Sequence, residues 1–499
     1  MKNIGNLVAG VWETNDHFFK SQTHTFSNVS KDAAHRSVAG AHEAFLSFGE
    51  SLPQKRAQFL SQIMTELAQE KTAILSAYQE ESKLPQARAE GEFGRTLNQI
   101  QSFVELLQEG HYLQATLHQP AEGAKIRKML QPVGPIAVFG ASNFPLAFST
   151  AGGDTISAFA AGCPVIVKAH PYHLYTSYLV SKAIQRAVEI CNLPKGVFSH
   201  LQSDSHSLGQ ELVQHPQLCG VGFTGSYKGG KALYKLAQQR PVPIPVFAEM
   251  GSINPMLLFP GALVKEDLPI QLGDSICLGS GQFCTNPGLL VALGNTTILD
   301  EFEAKLGAYL QAKAAQEMVH ENIENQYNAQ LDQLPEQVKV YKGLQAALGV
   351  VSAKDFLENS QLGEEIFGPY SLLVRCTSLD EVEAILRAIE GQLTLSLIGE
   401  EADQEALKKV LPLAQKKAGR ILFEGVPTGV AVTQAMMHGG PFPASTDERF
   451  SAVGTDAIYR WLRPVSYQDC PEALLPAALK WDNPLGILRN VNGIMIKKM

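Results

Sequence analysis

From residue 135 onward, short apolar runs alternate with longer amphipathic stretches, and this rhythm restricts the fold more than any other feature of the sequence. The apolar runs predict strands at 136–140, 164–169, 196–201, 220–224 and 245–249. The stretches between them predict helices at 150–161, 175–191, 207–215 and 227–239. Strands that alternate with helices form a parallel sheet covered on both faces. This region is therefore expected to be a doubly wound α/β domain.

A second series of the same kind follows, so two such sheets are expected in tandem. Its predicted strands are 289–293, 370–375, 394–399 and 420–423, and its predicted helices are 300–318, 380–389 and 403–417. A chain of 499 residues is long enough for several domains. No low-complexity linker separates the two series, so we expect two packed domains with a cleft between them.

The residues before the first predicted sheet look helical. Apolar residues recur at helical spacing in 55–80 and in 90–107. Residues 112–130 contain a turn at 120–123 and predict a hairpin of short strands. The polar segment 314–343 gives no clear pattern.

Composition argues against several classes of function. The net charge is -8 with acids and bases interspersed, so no basic face is expected for a nucleic acid. The apolar stretch 133–167 is interrupted by prolines and glycines, which argues against a membrane helix. The N-terminus shows no secretory signal. Seven cysteines without CxxC spacing indicate a reducing compartment and no zinc site. We expect a cytoplasmic protein that binds no metal, nucleic acid or membrane.

Cys284 is the cysteine whose surroundings favour catalysis. Glycines and small polar residues occupy 279–282, and Thr285 follows. Such a backbone can point N–H groups at a thiolate and at the oxyanion that it forms. The alternative is a small buried hydrophobe, which is our interpretation of Cys163, Cys219, Cys277 and Cys376.

Three further features could contribute to a site. Glu249 ends an apolar strand, and it is either a carboxylate at the rim of the sheet or a base where α/β sheets bind ligands. Asn143 is either a turn residue or an oxyanion donor. The glycine-rich turn 223–230 can present a helix N-terminus to a pyrophosphate, although it is not a GxGxxG motif.

Together these segments resemble, in the same order over nearly the whole chain, those of the aldehyde dehydrogenase family. The matching segments are 133–145, 167–170, 223–230, Glu249-Met250-Gly251-Ser252, Gly281-Gln282-Phe283-Cys284-Thr285 and 364–369. The resemblance implies a dinucleotide-binding domain (1–110 and 131–250), a catalytic domain (251–440) and a small β oligomerisation arm (111–130 and 480–499). Residues 441–479 would return to the cofactor side. A homodimer or homotetramer is implied.

The resemblance also implies a mechanism. Cys284 attacks an aldehyde, Asn143 and the Cys284 N–H hold the oxyanion, and Glu249 activates the water that hydrolyses the thioester. The residues expected to bind the coenzyme are Lys168, His170, Gly225, Ser226, Gly230, Glu365 and Phe367. NAD-preferring relatives carry a glutamate where this chain has Pro171, so we expect NADP to be accepted and preferred, with NAD possible.

Several segments resemble the branch of the family that oxidises 2,5-dioxovalerate (α-ketoglutaric semialdehyde) to 2-oxoglutarate. They are 438–446, 453–455, 463–465 and 483–487. Residues expected to line the substrate site are Arg95, Phe144, Phe283, Thr285 and Phe442. Arg95 is either the cation for the substrate's carboxylate or a surface ion pair. The chain departs from the family at Ser252, where a second glycine is commoner, and at Tyr227-Lys228.

Four alternatives stay open on the sequence. The substrate could be a medium-chain aldehyde or another semialdehyde. The same fold could carry a cysteine esterase or acyltransferase, or a CoA-acylating enzyme, although Glu249 favours hydrolysis. A non-catalytic scaffold would not explain why one chain carries Asn143, Glu249, Cys284 and Glu365.

Overall fold

A computed structural model describes residues 3–497. Residues 1–2, at the start of the predicted range 1–110, and residues 498–499, at the end of the predicted range 480–499, lie outside the described residues. The α-helices are α1 Lys31–Phe48, α2 Pro53–Gln69, α3 Lys71–Ser82, α4 Gln86–Glu109, α5 Gly153–Ala161, α6 Leu174–Ile190, α7 Ser207–Gln214, α8 Tyr227–Gln238, α9 Pro260–Leu263, α10 Leu268–Cys277, α11 Thr296–Gln311, α12 Glu321–Asp332, α13 Ala353–Glu358, α14 Leu379–Ala388 and α15 Gln404–Ala414. The strands are β1 Asn6–Val8, β2 Val11–Glu13, β3 Phe18–Ser21, β4 His24–Ser27, β5 Thr116–His118, β6 Ile126–Pro132, β7 Ile136–Phe139, β8 Val165–Lys168, β9 Phe198–Leu201, β10 Gly220–Thr224, β11 Val246–Glu249, β12 Met256–Leu258, β13 Leu289–Leu293, β14 Lys339–Lys342, β15 Ala347–Ser352, β16 Tyr370–Cys376, β17 Gln392–Ile398, β18 Ala418–Leu422, β19 Leu462–Gln468, β20 Arg489–Val491 and β21 Ile494–Ile496.

The first seven-stranded sheet has the order β11-β10-β7-β8-β9-β1-β2. Strands β11 to β9 are parallel, and β1 and β2 join antiparallel at one edge. Strands β7 and β8 lie inside the sheet and consist almost entirely of buried apolar residues, as expected where helices cover both faces. The carboxyl ends of β7, β8, β10 and β11 therefore meet at one edge.

The second seven-stranded sheet has the order β14-β15-β16-β13-β12-β17-β18. All its pairs are parallel except β14 with β15. Two apolar clusters fill its faces, one around Leu257, Val291 and Val374 and the other around Leu258, Leu290 and Leu373. Adjacent residues of one strand thus serve opposite faces.

A separate five-stranded sheet has the order β19-β6-β5-β20-β21. It unites the predicted hairpin with the C-terminal strands, and β6 pairs with β19 over seven residues. The residues just before β19 return to the first sheet's core, where Trp461 is fully buried. No helix of residues 3–497 is both long and apolar enough to cross a membrane.

The predicted series of strands and helices matches the structure closely, with differences at its margins. The first hundred residues are not wholly helical, because β1 to β4 lie within residues 6–27. The predicted helix 55–80 is two helices that break at Glu70, and the predicted helix 300–318 ends at Gln311. The unassigned segment 314–343 contains α12 and β14. Short edge strands lack the apolar runs that mark buried ones.

Two buried carboxylates from the N-terminal helices hold loops at the sheet's edge. Glu92 of α4 accepts hydrogen bonds from the backbone N–H groups of Leu146 and Ala147, at 2.8 and 2.9 Å. Glu81 of α3 accepts from the N–H groups that begin α6 and from the hydroxyl of Thr176. Burial raises the pKa of Glu81 to about 7. The helical segment therefore fixes the loops that follow β7 and β8.

Candidate active site

Cys284 lies just after a tight turn that requires glycine. In the 3-10 turn Leu278–Gly281, three successive residues have positive φ. A Cβ atom added at Gly281 would lie 2.1 Å from the carbonyl oxygen of Gly368. The turn therefore packs the loop of Cys284 directly against the segment 364–369.

Two asparagines hold the backbone around Cys284. Asn143 donates from Nδ2 to the carbonyl of Gln282 at 2.9 Å, and Asn254 donates to the carbonyl of Cys284 at 2.8 Å. An amide nitrogen carries two hydrogens, so Asn143 keeps one for a further acceptor. The structure thus brings Asn143, from the loop after β7, to the loop of Cys284.

Glu249 and His438 meet at the sulfur. Nε2 of His438 lies 3.5 Å from Sγ of Cys284, aligned for a hydrogen bond, and 2.8 Å from Oε1 of Glu249. Both side chains are buried, and in residues 3–497 neither oxygen of Glu249 has an aligned hydrogen-bond donor. A buried carboxylate without donors is suited to accept a proton or to bind a water. The donor atoms of the three residues lie within 4.8 Å of one another, a spacing that a metal ion could bridge. The expected absence of a metal stays a prediction.

The charges around Cys284 oppose its ionisation. Burial raises the pKa of the thiol well above its usual value, and the negative charge of Glu249 raises it further. The positive charge of Arg95 acts in the opposite direction and lowers this pKa. Because thiolates and not thiols are the reactive form of cysteine, a nucleophilic role for Cys284 would require that its thiol be activated.

A cavity of about 280 Å³ adjoins Cys284. Its lining includes three phenylalanines, two arginines and a threonine: Phe144, Phe148, Phe283, Arg88, Arg95 and Thr285. Arg88 pairs loosely with Glu92, with Nε 3.7 Å from the carboxylate. Arg95 has no ion-pair partner among residues 3–497, and its half-buried guanidinium lies 5.0 Å from the ring centroid of Phe148. The cavity therefore offers, within the described part of the chain, one cation near the sulfur that has no ion-pair partner.

The remaining predicted substrate residues separate into two groups. Phe144 and Phe283 pack edge to face in the cavity wall, with centroids 5.6 Å apart. Thr285 is buried there, and its hydroxyl has no hydrogen-bond partner within the described chain. Phe442 is half-exposed and lies 6.0 Å from the ring of Tyr227, away from the cavity lining. The predicted substrate contact of Phe442 has no support in this geometry.

Lys168 and His170 follow β8 at the sheet's edge. Burial lowers the pKa of Lys168 to about 8, and no carboxylate lies within ion-pair distance of it in the described residues. Burial lowers the pKa of His170 well below its usual value, with the nearby charges of His173 and Lys168 as smaller causes. An amine without a counter-ion fits a ligand with hydroxyl or phosphate oxygens. These residues suit the sugar end of a dinucleotide.

The turn after β10 and the loop around Glu365 provide two more contacts for such a ligand. Ser226 caps α8 by accepting from the N–H of Gly229, and a Cβ at Gly230 would lie 2.6 Å from Met250. Burial raises the pKa of Glu365 to about 7. A Cβ at Gly251 would lie 2.1 Å from Oε2 of Glu365, so this glycine makes room for the carboxylate. Gly225 is exposed in the turn, and Phe367 lies on the same loop as Glu365.

Sequence reasoning did not assign a role to three of these residues. Arg88 lies seven positions before Arg95 on α4, and helical spacing predicts that both face one side. His438 begins the segment 438–446 that resembles the family branch, but that pattern gave it no role, because its contacts come from residues distant in sequence. The hydroxyl of Ser252 accepts from the N–H of Leu393 at 3.0 Å and donates to Gln392 at 2.8 Å, so this departure from the family pattern links two segments of the second domain region.

Comparisons with known proteins cover most of the chain. The profile of the aldehyde dehydrogenase family matches residues 11–333. "Alpha-ketoglutaric semialdehyde dehydrogenase 2" of Azospirillum brasilense is 44% identical over 94% of this chain and 93% of its own. "Alpha-ketoglutaric semialdehyde dehydrogenase" of Acinetobacter baylyi is 40% identical with the same coverage. A 1-pyrroline-5-carboxylate dehydrogenase from Thermus, solved with bound NAD, shares the fold with a TM-score of 0.80 at 17% identity, covering 94% of this chain and 93% of that one.

Proposed function

The chain belongs to the aldehyde dehydrogenase family, and we propose that it oxidises 2,5-dioxopentanoate (α-ketoglutaric semialdehyde) to 2-oxoglutarate. The observation that carries this proposal is the cavity beside Cys284, which is lined by Arg95, a cation without an ion-pair partner among residues 3–497. A substrate with an aldehyde at one end and a carboxylate at the other matches a nucleophile and a cation in one cavity. The names of the two similar proteins support the same substrate.

Each step assigns one task to a residue of the site. Cys284 adds to the aldehyde carbon, while the free amide hydrogen of Asn143 and the N–H of Cys284 stabilise the oxyanion. A donor of this kind contributes about 3–4 kcal/mol in related acyl chemistry. A bound nicotinamide coenzyme supplies the acceptor for the two electrons. Glu249 then takes a proton from the water that hydrolyses the thioester, a role that its buried and donor-free carboxylate suits.

For the coenzyme we propose NADP in preference to NAD. Lys168 has no carboxylate partner in the described chain, and Pro171 stands where an acid would repel a 2′-phosphate. His170 directly precedes Pro171. The test is the ratio of kcat/KM for NADP to that for NAD with one aldehyde, in wild type and in Lys168→Met. The variant should lose more activity with NADP, and a wild-type preference for NAD would contradict the proposal.

We also propose the division into a cofactor domain, a catalytic domain and an arm, with pairing of subunits through the arm. The five-stranded arm sheet carries exposed apolar side chains on β21, Ile494 and Met495, which supports its use as an interface. The expected assembly is a homodimer or homotetramer. Light scattering on the purified protein measures the mass, and a monomer would contradict this assignment.

Coenzyme reduction tests the proposed activity directly. Wild type should turn over 2,5-dioxopentanoate far better than pentanal, and Cys284→Ala should abolish both reactions. Turnover of plain aldehydes alone would leave the mechanism but reject the substrate. If no aldehyde gives coenzyme reduction that depends on Cys284, the esterase alternative becomes the better interpretation. Hydrolysis of p-nitrophenyl acetate would then test it.

A further inference from the structure

His438 makes contact with both reacting side chains of the site. Its Nε2 atom lies 3.5 Å from Sγ of Cys284 in hydrogen-bond alignment and 2.8 Å from Oε1 of Glu249. The side chain is 1% exposed. The mechanism above gives this buried titratable group no task.

The position of His438 is built by the chain around it. Its backbone N–H donates to Oγ of Ser451 at 3.1 Å, and its carbonyl accepts from the N–H of Ala452 at 2.8 Å. Its ring lies 6.0 Å from that of Phe148. The residues that follow run beside the end of β11, where Ser445 forms an antiparallel bridge with Glu249. The imidazole is therefore fixed against the carboxylate by backbone pairing.

The negative charge of Glu249 bears on which ring nitrogen of His438 carries hydrogen. A lone pair on Nε2 that faced a carboxylate oxygen at 2.8 Å would be repelled by it, whereas an N–H group is attracted. The negative charge of Glu249 therefore favours hydrogen on Nε2, although within residues 3–497 this N–H is not aligned with either carboxylate oxygen. The same N–H group is aligned with the sulfur.

We propose that His438 is a further catalytic residue, whose Nε2–H stabilises the Cys284 thiolate while the thiol proton passes to Glu249. The S–H bond breaks, an O–H bond forms on the carboxylate, and Nε2–H donates to the sulfur. The negative charge moves from oxygen to sulfur, so the pocket's net charge does not change. Glu249 releases this proton to solvent before it accepts one from the water that hydrolyses the thioester. This role rests on the proposed thioester chemistry.

The balance of nearby charges explains why such a donor is needed. Burial and the charges of Glu249 and Glu365 raise the pKa of the thiol. Arg95 lowers it, and Arg420 is the other cation that interacts with the sulfur. Both guanidinium groups are themselves partly desolvated. A donor in contact with the sulfur acts on the thiolate more directly than either cation.

Alkylation of Cys284 tests this role without aldehyde or coenzyme. The rate of iodoacetamide modification of the Cys284 peptide, followed by mass spectrometry against pH, reports the thiolate population of the purified enzyme. In His438→Leu, the midpoint of this profile should rise by about one to two pH units, with a 10- to 100-fold slower reaction at neutral pH. His438→Gln, whose amide N–H can replace the donor, should stay close to wild type.

Two outcomes would overturn the proposal. A His438→Leu profile that superimposes on that of wild type would show that His438 does not act on the sulfur. A His438→Gln profile displaced as far as that of His438→Leu would show that the imidazole acts as a proton acceptor instead of a donor. His438→Met serves as a second donor-free variant if the leucine variant folds poorly. A third outcome would reject only the proposed function. The wild-type protein would oxidise no aldehyde, while His438→Leu would still shift the alkylation profile as expected.

Discussion

Replacement of Arg95 by methionine should weaken the reaction of a dicarboxylic semialdehyde far more than that of an uncharged aldehyde. Truncating one partner of a buried charge pair costs about 2–5 kcal/mol, and an exposed pair is worth less than about 1 kcal/mol. Arg95 is half-buried and has no ion-pair partner in residues 3–497, so we expect about 2–3 kcal/mol. This corresponds to a roughly 30- to 150-fold fall in kcat/KM for 2,5-dioxopentanoate.

The ratio of two aldehydes isolates the effect on the carboxylate. Arg95 also lowers the pKa of the Cys284 thiol, so its loss should slow every aldehyde to some extent. Pentanal has the same chain length without the carboxylate, and the ratio of the two kcat/KM values cancels the shared loss. Arg88→Met is the matched control, since this guanidinium already lies 3.7 Å from Glu92. Equal losses for both aldehydes in Arg95→Met, or a larger change of the ratio in Arg88→Met, would refute the assignment.

Three further changes test how the site is supported. In Gly251→Ala the new Cβ would lie 2.1 Å from the Glu365 carboxylate, so the KM for the coenzyme should rise about tenfold, and a KM equal to that of wild type would contradict a coenzyme contact of Glu365. Ser252→Ala would leave the buried N–H of Leu393 without an acceptor, and urea unfolding should show a loss of about 1–3 kcal/mol. Because burial raises the folded pKa of Glu81 from 4.5 to about 7, its contribution to stability is complete below pH 4.5 and is lost as pH rises through 7. Glu81→Gln should flatten the pH dependence of the melting temperature in that window, and an unchanged slope would contradict the shift.

The sequence predicted the two sheets because their signal is local. A strand buried on both faces has to be a continuous apolar run, and β10 and β13 lie where these runs were found, residue for residue. The strands of residues 6–27 were not predicted because they lack this local signal. Most of them are short and partly exposed, and their residues carry no apolar run.

The site was predictable only where a motif carries its own chemistry. Cys284 and Glu249 stood out because glycines or a strand end surround them. The support for the site was not predictable in this way, since the hydrogen bonds of Glu92 reach across 54 residues to Leu146. Which acid of an amphipathic helix turns inward to accept backbone N–H groups depends on how helix and sheet dock, and periodicity does not contain that information.

The segment that carries His438 explains why both sheets must pack before the site exists. Gly440 lies against β17 so closely that an added Cβ would be 2.0 Å from the carbonyl of Gln392. Five residues later, Ser445 pairs with Glu249 at the end of β11. One short stretch is therefore pressed against the second sheet and hydrogen-bonded to the first, with the imidazole at its start directed at Cys284. Any shift of one sheet against the other would change the distance between base, histidine and sulfur together, so the chemistry depends on the packing of the two sheets as a unit.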